Sequence, residues 1–211
     1  MNAGRVSRRT IVLGAAAVGL AGCARPPIVI TSPTATPGGS VREKLAATMS
    51  VYQKNTPKLG IAIKDLRTGA TFDANGDYSS QSASMAKVMI VAMALKKARA
   101  DATPLTFKQA TQVSEALINS DNDSADALWE FAGGPDAYQR LANELEMPNT
   151  RKDAKNTFWS WTWTTPKDQL ILLDRLRTGT PALSEQDRLY ELDVMRRTNP
   201  SQQWGVGNIG D

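Results

Sequence analysis

Ser84 and Lys87 stand three residues apart in a chain of 211 residues that contains no histidine. A serine hydroxyl is a weak nucleophile until a neighbouring base takes its proton. Without histidine a Ser-His-Asp arrangement is excluded, so any serine chemistry must use a different base. Positions i and i+3 of a helix share a face, which lets the Lys87 amine reach the Ser84 hydroxyl. Burial lowers the proton affinity of a lysine, as a base working near neutral pH requires. The plainer alternative is a helix N-cap serine followed by a surface lysine.

The elements around the pair favour burial. Val88-Met89-Ile90-Val91-Ala92-Met93-Ala94-Leu95 is almost wholly apolar, as a central helix would be. Ahead of it, Leu59–Leu66 is an apolar strand, Arg67-Thr68-Gly69 a turn, and Ala70–Asp73 an antiparallel return. A loop rich in Gly, Asp and Ser, Ala74–Ala83, then delivers Ser84 to the helix start. Val41, Leu45, Met49 and Tyr52 recur at helical spacing and predict an amphipathic helix ending before Pro57. Further helices are predicted over Thr106–Ile118, Asp123–Phe131 (closed by Gly133-Gly134), Asp136–Leu145, Pro166–Arg177 and Ser184–Arg196. Between two of them lies the polar run Asn119-Ser120-Asp121-Asn122-Asp123, which by itself reads as a turn and an N-cap. Phe158, Trp159, Trp161 and Trp163 crowd one loop. In an extended segment the three tryptophans would share one side, and packing on the core is expected ahead of a substrate-lining role.

The N-terminus is an export signal by pattern. Arg5, Arg8 and Arg9 precede an apolar run from Ile11 to Leu20, which is too short for a membrane span. Leu20-Ala21-Gly22-Cys23 resembles a lipobox, in which Cys23 is lipidated and becomes the first mature residue. Ser7-Arg8-Arg9-Thr10-Ile11-Val12 resembles a twin-arginine motif. Residues 1–22 are thus a signal peptide, and residues 23–40, with four prolines, a solvated tether that holds the domain off the outer face of the cell membrane. Cys23 is the one cysteine, so the exported domain has no internal disulfide and no cysteine-based metal site. Three of the 25 Lys and Arg residues fall in the signal, leaving 22 against 21 acidic residues. Such a near-neutral domain gives no support for nucleic-acid binding. No metal or organic cofactor is indicated.

Ser84-x-x-Lys87 together with Ser120-Asp121-Asn122 resembles the paired motifs of the penicillin-recognising serine enzymes. The hairpin before the serine, the helix after it, and Thr164-Thr165-Pro166 opening another helix fall in that family's order. From Val41 to the C-terminus the chain is similar to class A β-lactamases and related transpeptidases, and most of all to exported actinobacterial lipoproteins of that type. The resemblance implies an α/β (α+β) fold, a helical block plus an antiparallel sheet, over residues 41–211. It also implies roles. Ser84 would be acylated, Lys87 would accept its proton, Ser120 would relay a proton to the leaving nitrogen, and Asn122 would hold the substrate amide. The Ser84 N–H would form half of an oxyanion hole, and Asp121 would tie its loop down.

Two departures limit what the resemblance implies. Class A enzymes carry a glutamate before the Thr-Thr-Pro helix that activates the deacylating water. Here residues 148–163 contain none, and Asp153, their only carboxylate, is a poor substitute. The family also places a Lys-Thr-Gly type triad on a later strand, whereas no lysine follows Lys167. A C-terminally incomplete domain is expected, with a sheet whose apolar edge is exposed and a central helix poorly covered on one side. The expectation is a monomeric, lipid-anchored serine hydrolase that forms an acyl-serine with β-lactams or peptidoglycan stem peptides. A catalytically silent envelope lipoprotein of the same fold is the alternative.

Overall fold

The structure, a computed structural model, describes residues 13–15 and 40–203. Most of the expected signal peptide, Cys23 as the expected lipidation site and the expected tether as far as Gly39 lie outside the described residues. Ser40 is the last residue of the expected tether and the first of the continuous described segment. It caps helix α1 (Val41–Asn55) in a reciprocal capping box, its Oγ accepting from Glu43 N and its own N–H donating to Glu43 at 2.6 Å. Of the predicted apolar stripe on α1 only Met49 is buried, and Val41 is 56% exposed.

The hairpin forms as its sequence dictates. Strands β2 (Ile61–Lys64) and β3 (Thr71–Ala74) pair antiparallel, with Ile61 opposite Ala74 and Lys64 opposite Thr71. Gly69 turns the chain at φ 74°, a conformation that favours glycine, and Asp65 braces the turn through Arg67 N and Thr68 Oγ1. On its other side β2 pairs with β1 (Leu13–Ala15), a short strand inside the segment that has the pattern of an export signal. In the full-length chain β1 thus pairs that edge over residues 61–63, and removal of residues 1–22 as a signal would leave the edge bare, as expected from the sequence.

A second, two-stranded sheet was not predicted. Strand β4 (Ser80–Gln81) pairs with β5 (Trp163–Thr164), so the loop before Ser84 is stitched to the segment before Pro166. Two-residue strands carry no periodicity, which is why the sequence reads there as loop.

The helices follow their caps. A 3-10 turn over Ala83–Met85 runs directly into α2 (Ala86–Ala100). Then come α3 (Phe107–Ile118) under a Thr106–Gln109 capping box, α4 (Asn122–Ala132) capped by Asp121, and α5 (Gly134–Glu144). Gly133 ends α4 in the left-handed region at φ 99°. Helix α6 (Pro166–Thr178) starts at the Thr165 cap and α7 (Glu185–Met195) at Ser184. Helix α2 is the hub, with Met89, Ile90, Val91, Ala92 and Ala94 fully buried against α3, α4, α5 and α7. The expectation that one side of α2 is poorly covered is thus corrected for all but its first turn. There Met85 and half-buried Val88 line an apolar cleft of about 310 Å³ with Ala62, Tyr78 and Leu170.

Helix α7 breaks the binary pattern. Its buried face holds Asp187, Arg188, Glu191 and Val194, whereas Leu189 is 54% exposed. Asp187 is paired with Arg99 at 2.6 and 2.8 Å, and Arg188 caps the Leu176 carbonyl of α6 at 2.7 Å. Glu191 has no such partner. Neither carboxyl oxygen is hydrogen-bonded among the described residues, and desolvation with the nearby Asp187 charge pushes its pKa well up. Above pH 4.5 the unfolded chain gives up the Glu191 proton while the folded chain keeps it. Stability from this site is therefore full below that pH and falls as pH rises toward the folded value. Glu191→Leu is expected to stabilise the fold by about 1–3 kcal/mol. In thermal melts the gain is larger at pH 8 than at pH 5, at roughly 2–4 °C per kcal/mol.

Candidate active site

Three segments converge on the Lys87 amine. The first is the helix start at Ser84. Ser82 is buried, and its Oγ lies 2.5 Å from Thr162 Oγ1 while its N–H donates to the Thr162 carbonyl at 2.7 Å. This double tie fixes the entry to the 3-10 turn. Ala83 then takes φ 44°, a left-handed conformation that costs a non-glycine residue of order 1 kcal/mol. Ser84 follows, exposed, in the first helical turn, where backbone N–H groups have no intrahelical acceptor.

The second segment is the turn before α4. Ser120 sits at φ 57°, again left-handed and strained. Asp121 accepts from Ser124 N at 2.7 Å as the N-cap, and the Ser124 side chain first, then this N–H, hold its carboxyl below the usual range. It anchors the loop, as its sequence context implied. Ser120 and Asn122 are left facing α2.

One turn after Ser84, Lys87 is only 2% exposed. Its Nζ donates to the Ser120 carbonyl, to Ser120 Oγ at 3.0 Å and to Asn122 Oδ1 at 2.8 Å. Desolvation lowers its pKa, and the charges of Asp121 and Asp126 act in the opposite sense. Of the four residues singled out in the sequence, the structure joins Lys87, Ser120 and Asn122 by hydrogen bonds. Ser84 shares the Lys87 helix face, but no hydrogen bond links the two among the described residues. Catalytic contacts of this kind commonly tighten only when substrate binds.

The third segment is the aromatic loop. A 3-10 turn over Trp159–Trp161 breaks the extended alternation, so the tryptophans do not share a side. Trp159 is buried, Trp161 is 46% exposed and Trp163 is half-buried. The Lys87 Nζ lies 5.1 Å from the centroid of the Trp159 ring. The Trp159 Nε1–H donates to Asp126 Oδ1 at 2.5 Å. The sequence singled out Trp159 only as one of four crowded loop aromatics expected to pack on the core, and did not single out Asp126. Asp126 lies four residues after Asn122 on α4, so helical spacing alone marked it as a neighbour of the site.

Asp153 is fully engaged elsewhere. It accepts from Lys155 N and Asn156 N, both at 2.9 Å, and from Trp163 Nε1 at 2.8 Å. Those donors, the indole first, hold its carboxyl below the usual range. A carboxylate so occupied and so weakly basic is a loop tie.

The arrangement is a buried amine of lowered proton affinity bonded to a hydroxyl on a strained turn, with a second hydroxyl exposed on the helix start one turn before it. Such a set can pass a proton from one oxygen to the other.

The family model described as "Beta-lactamase enzyme family" matches residues 40–114 and 103–206. Among solved structures, the chromosome-encoded beta-lactamase of Vibrio parahaemolyticus is similar at 19% identity and a TM-score of 0.65. That match covers 75% of this chain and 72% of the other. A beta lactamase from Burkholderia vietnamiensis matches at 21% identity and a TM-score of 0.63, over 78% of this chain and 71% of the other. A variant of the last common ancestor of Gram-negative bacteria class A beta-lactamases matches at 22% identity and a TM-score of 0.61, over 73% and 70%. No curated protein matches. The fold is that of class A beta-lactamases, a helical block with small antiparallel sheets.

Proposed function

The chain belongs to the beta-lactamase enzyme family, and on that premise we propose that it is an exported, lipid-anchored serine hydrolase acylated at Ser84 by β-lactams or peptidoglycan stem peptides. The observation that carries the reading is the Lys87 amine, buried and hydrogen-bonded to Ser120 and Asn122 one turn beyond Ser84.

As an ammonium, Lys87 spends its three N–H groups on the Ser120 carbonyl, Ser120 Oγ and Asn122 Oδ1, and has no lone pair. Desolvation favours loss of one proton. The neutral amine keeps two donor bonds and turns its lone pair toward a hydroxyl. When Ser84 Oγ attacks a carbonyl, its proton passes to Lys87. Lys87 donates to Ser120 Oγ, and the Ser120 proton goes to the nitrogen that leaves as the C–N bond breaks. The Ser84 N–H stabilises the oxyanion. The Asn122 amide N–H₂, left free by a bond made through Oδ1, donates to the substrate amide carbonyl.

The anchoring part of the reading rests on Leu20-Ala21-Gly22-Cys23 and the preceding arginines. It places the domain on the outer face of the cell membrane, with Cys23 lipidated.

The test is labelling with a fluorescent penicillin beside Ser84→Ala. Covalent labelling of the wild type and complete loss in the variant is the expected result. A folded wild-type protein that takes no label at high penicillin concentration overturns the activity and favours the catalytically silent lipoprotein.

A further inference from the structure

The carboxylate of Asp126 has no part in the proton path, yet it is one indole away from Lys87. Trp159, whose ring lies between them, is held at its indole by one residue and at its backbone by another. Its indole N–H is committed to Asp126 at 2.5 Å. The Trp159 backbone carbonyl accepts from Thr162 N at 3.1 Å and from Thr162 Oγ1 at 2.7 Å. Thr162 is itself tied to Ser82, two residues before the nucleophile position. The chain of contacts therefore runs from the Ser84 turn through Thr162 and Trp159 to Asp126, and back along α4 to Asn122 and Ser120.

We propose that Asp126 is a positioning residue of the acyl-transfer site, fixing and polarising the Trp159 indole so that its face holds the Lys87 amine. This rests on the reading of Lys87 as the base. A carboxylate on the indole N–H pushes electron density into the ring, which strengthens its attraction for a cation on the face. The ammonium form of Lys87 is favoured, and the amine is kept over the ring beside the Ser120 hydroxyl, one turn beyond Ser84. Asp121, at the start of α4, is the other charge that acts on Lys87. Its carboxylate is committed to the helix cap, which leaves Asp126 as the charge coupled to the amine through a ring.

Asp126→Asn keeps an acceptor for the indole and removes the charge, whereas Trp159→Phe keeps the ring and removes the N–H. In both variants Lys87 is expected to lose its proton at lower pH. The first readout is NMR of ¹³Cε-lysine-labelled protein without substrate, with the Lys87 signal assigned through Lys87→Arg. The second is the penicillin acylation rate across pH. For both variants it is expected to rise about three- to tenfold on the acid limb and stay unchanged on the alkaline plateau. A direct effect of the Asp126 charge alone shifts Lys87 in Asp126→Asn but not in Trp159→Phe, so an unshifted titration in Trp159→Phe also overturns the role given to the indole. An unshifted Lys87 titration in Asp126→Asn overturns the proposal, with Trp159→Phe deciding if that variant fails to fold. A wild-type protein that is never acylated overturns the enzymatic reading instead, and the NMR titration still judges Asp126.

Discussion

Lys87→Arg and Lys87→Met both lower the rate of Ser84 acylation by about 10²–10⁴-fold, the range that general-base catalysis contributes. The pair separates two roles of the amine. Arginine retains a positive charge near Ser120 and Asn122 but cannot give up its proton. Methionine fills a similar volume with no charge and no donor, leaving Ser120 and Asn122 without their shared partner. If Lys87 acts as a base, both fail together. If it acts only as an electrostatic support, arginine retains most of the activity. The measurement is the second-order rate of penicillin acylation, followed by gel fluorescence, with thermal melts to show that each variant folds. An arginine variant acylated at the wild-type rate refutes the base assignment. The pH dependence has a definite sign. The rate rises with pH through the lowered Lys87 pKa, because the deprotonated amine is the active form.

A chromogenic cephalosporin is expected to give a burst of about one product per enzyme, followed by release that is slower by two or more orders of magnitude. Acylation and deacylation need different groups, and only the first set is assembled around Lys87. Residues 148–163 contain no glutamate, and Asp153 is engaged by two backbone amides and the Trp163 indole. The space beside Lys87 is taken by the Trp159 ring, whose N–H occupies an Asp126 oxygen. Asp153 is therefore not free to activate water against an acyl-serine, and Asp126 holds the indole through one of its oxygens. Stopped-flow absorbance reads both phases, and intact mass reads the lifetime of the adduct. Steady turnover of many equivalents without a burst shows that some other group activates the water.

Much of this was legible in the sequence because local rules carried it. Ser40, Thr106, Asp121, Thr165 and Ser184 are side-chain caps, and each fixes the start of a helix within a residue or two of its predicted place. Ser120-Asp121-Asn122 looked like a cap and proved to be one, with its two remaining side chains turned onto Lys87. What stayed hidden depended on contacts between distant segments. Sheet β4–β5 is two residues wide, and a 3-10 turn at Trp159 replaces the alternation that the tryptophan spacing suggested. Glu191 is invisible to hydrophobic patterning, because α7 buries its charged face and exposes Leu189. Asp126 had a signal, its helical offset from Asn122, but it is exposed like most carboxylates on helices, and its bond to a distant indole has no local pattern.

The most direct test of the central claim is the site of the penicillin adduct. After incubation with penicillin, tryptic digestion and tandem mass spectrometry, the added mass is expected on Ser84, within the peptide Thr68–Lys87. An adduct on any other residue, or none on a folded protein, contradicts the account.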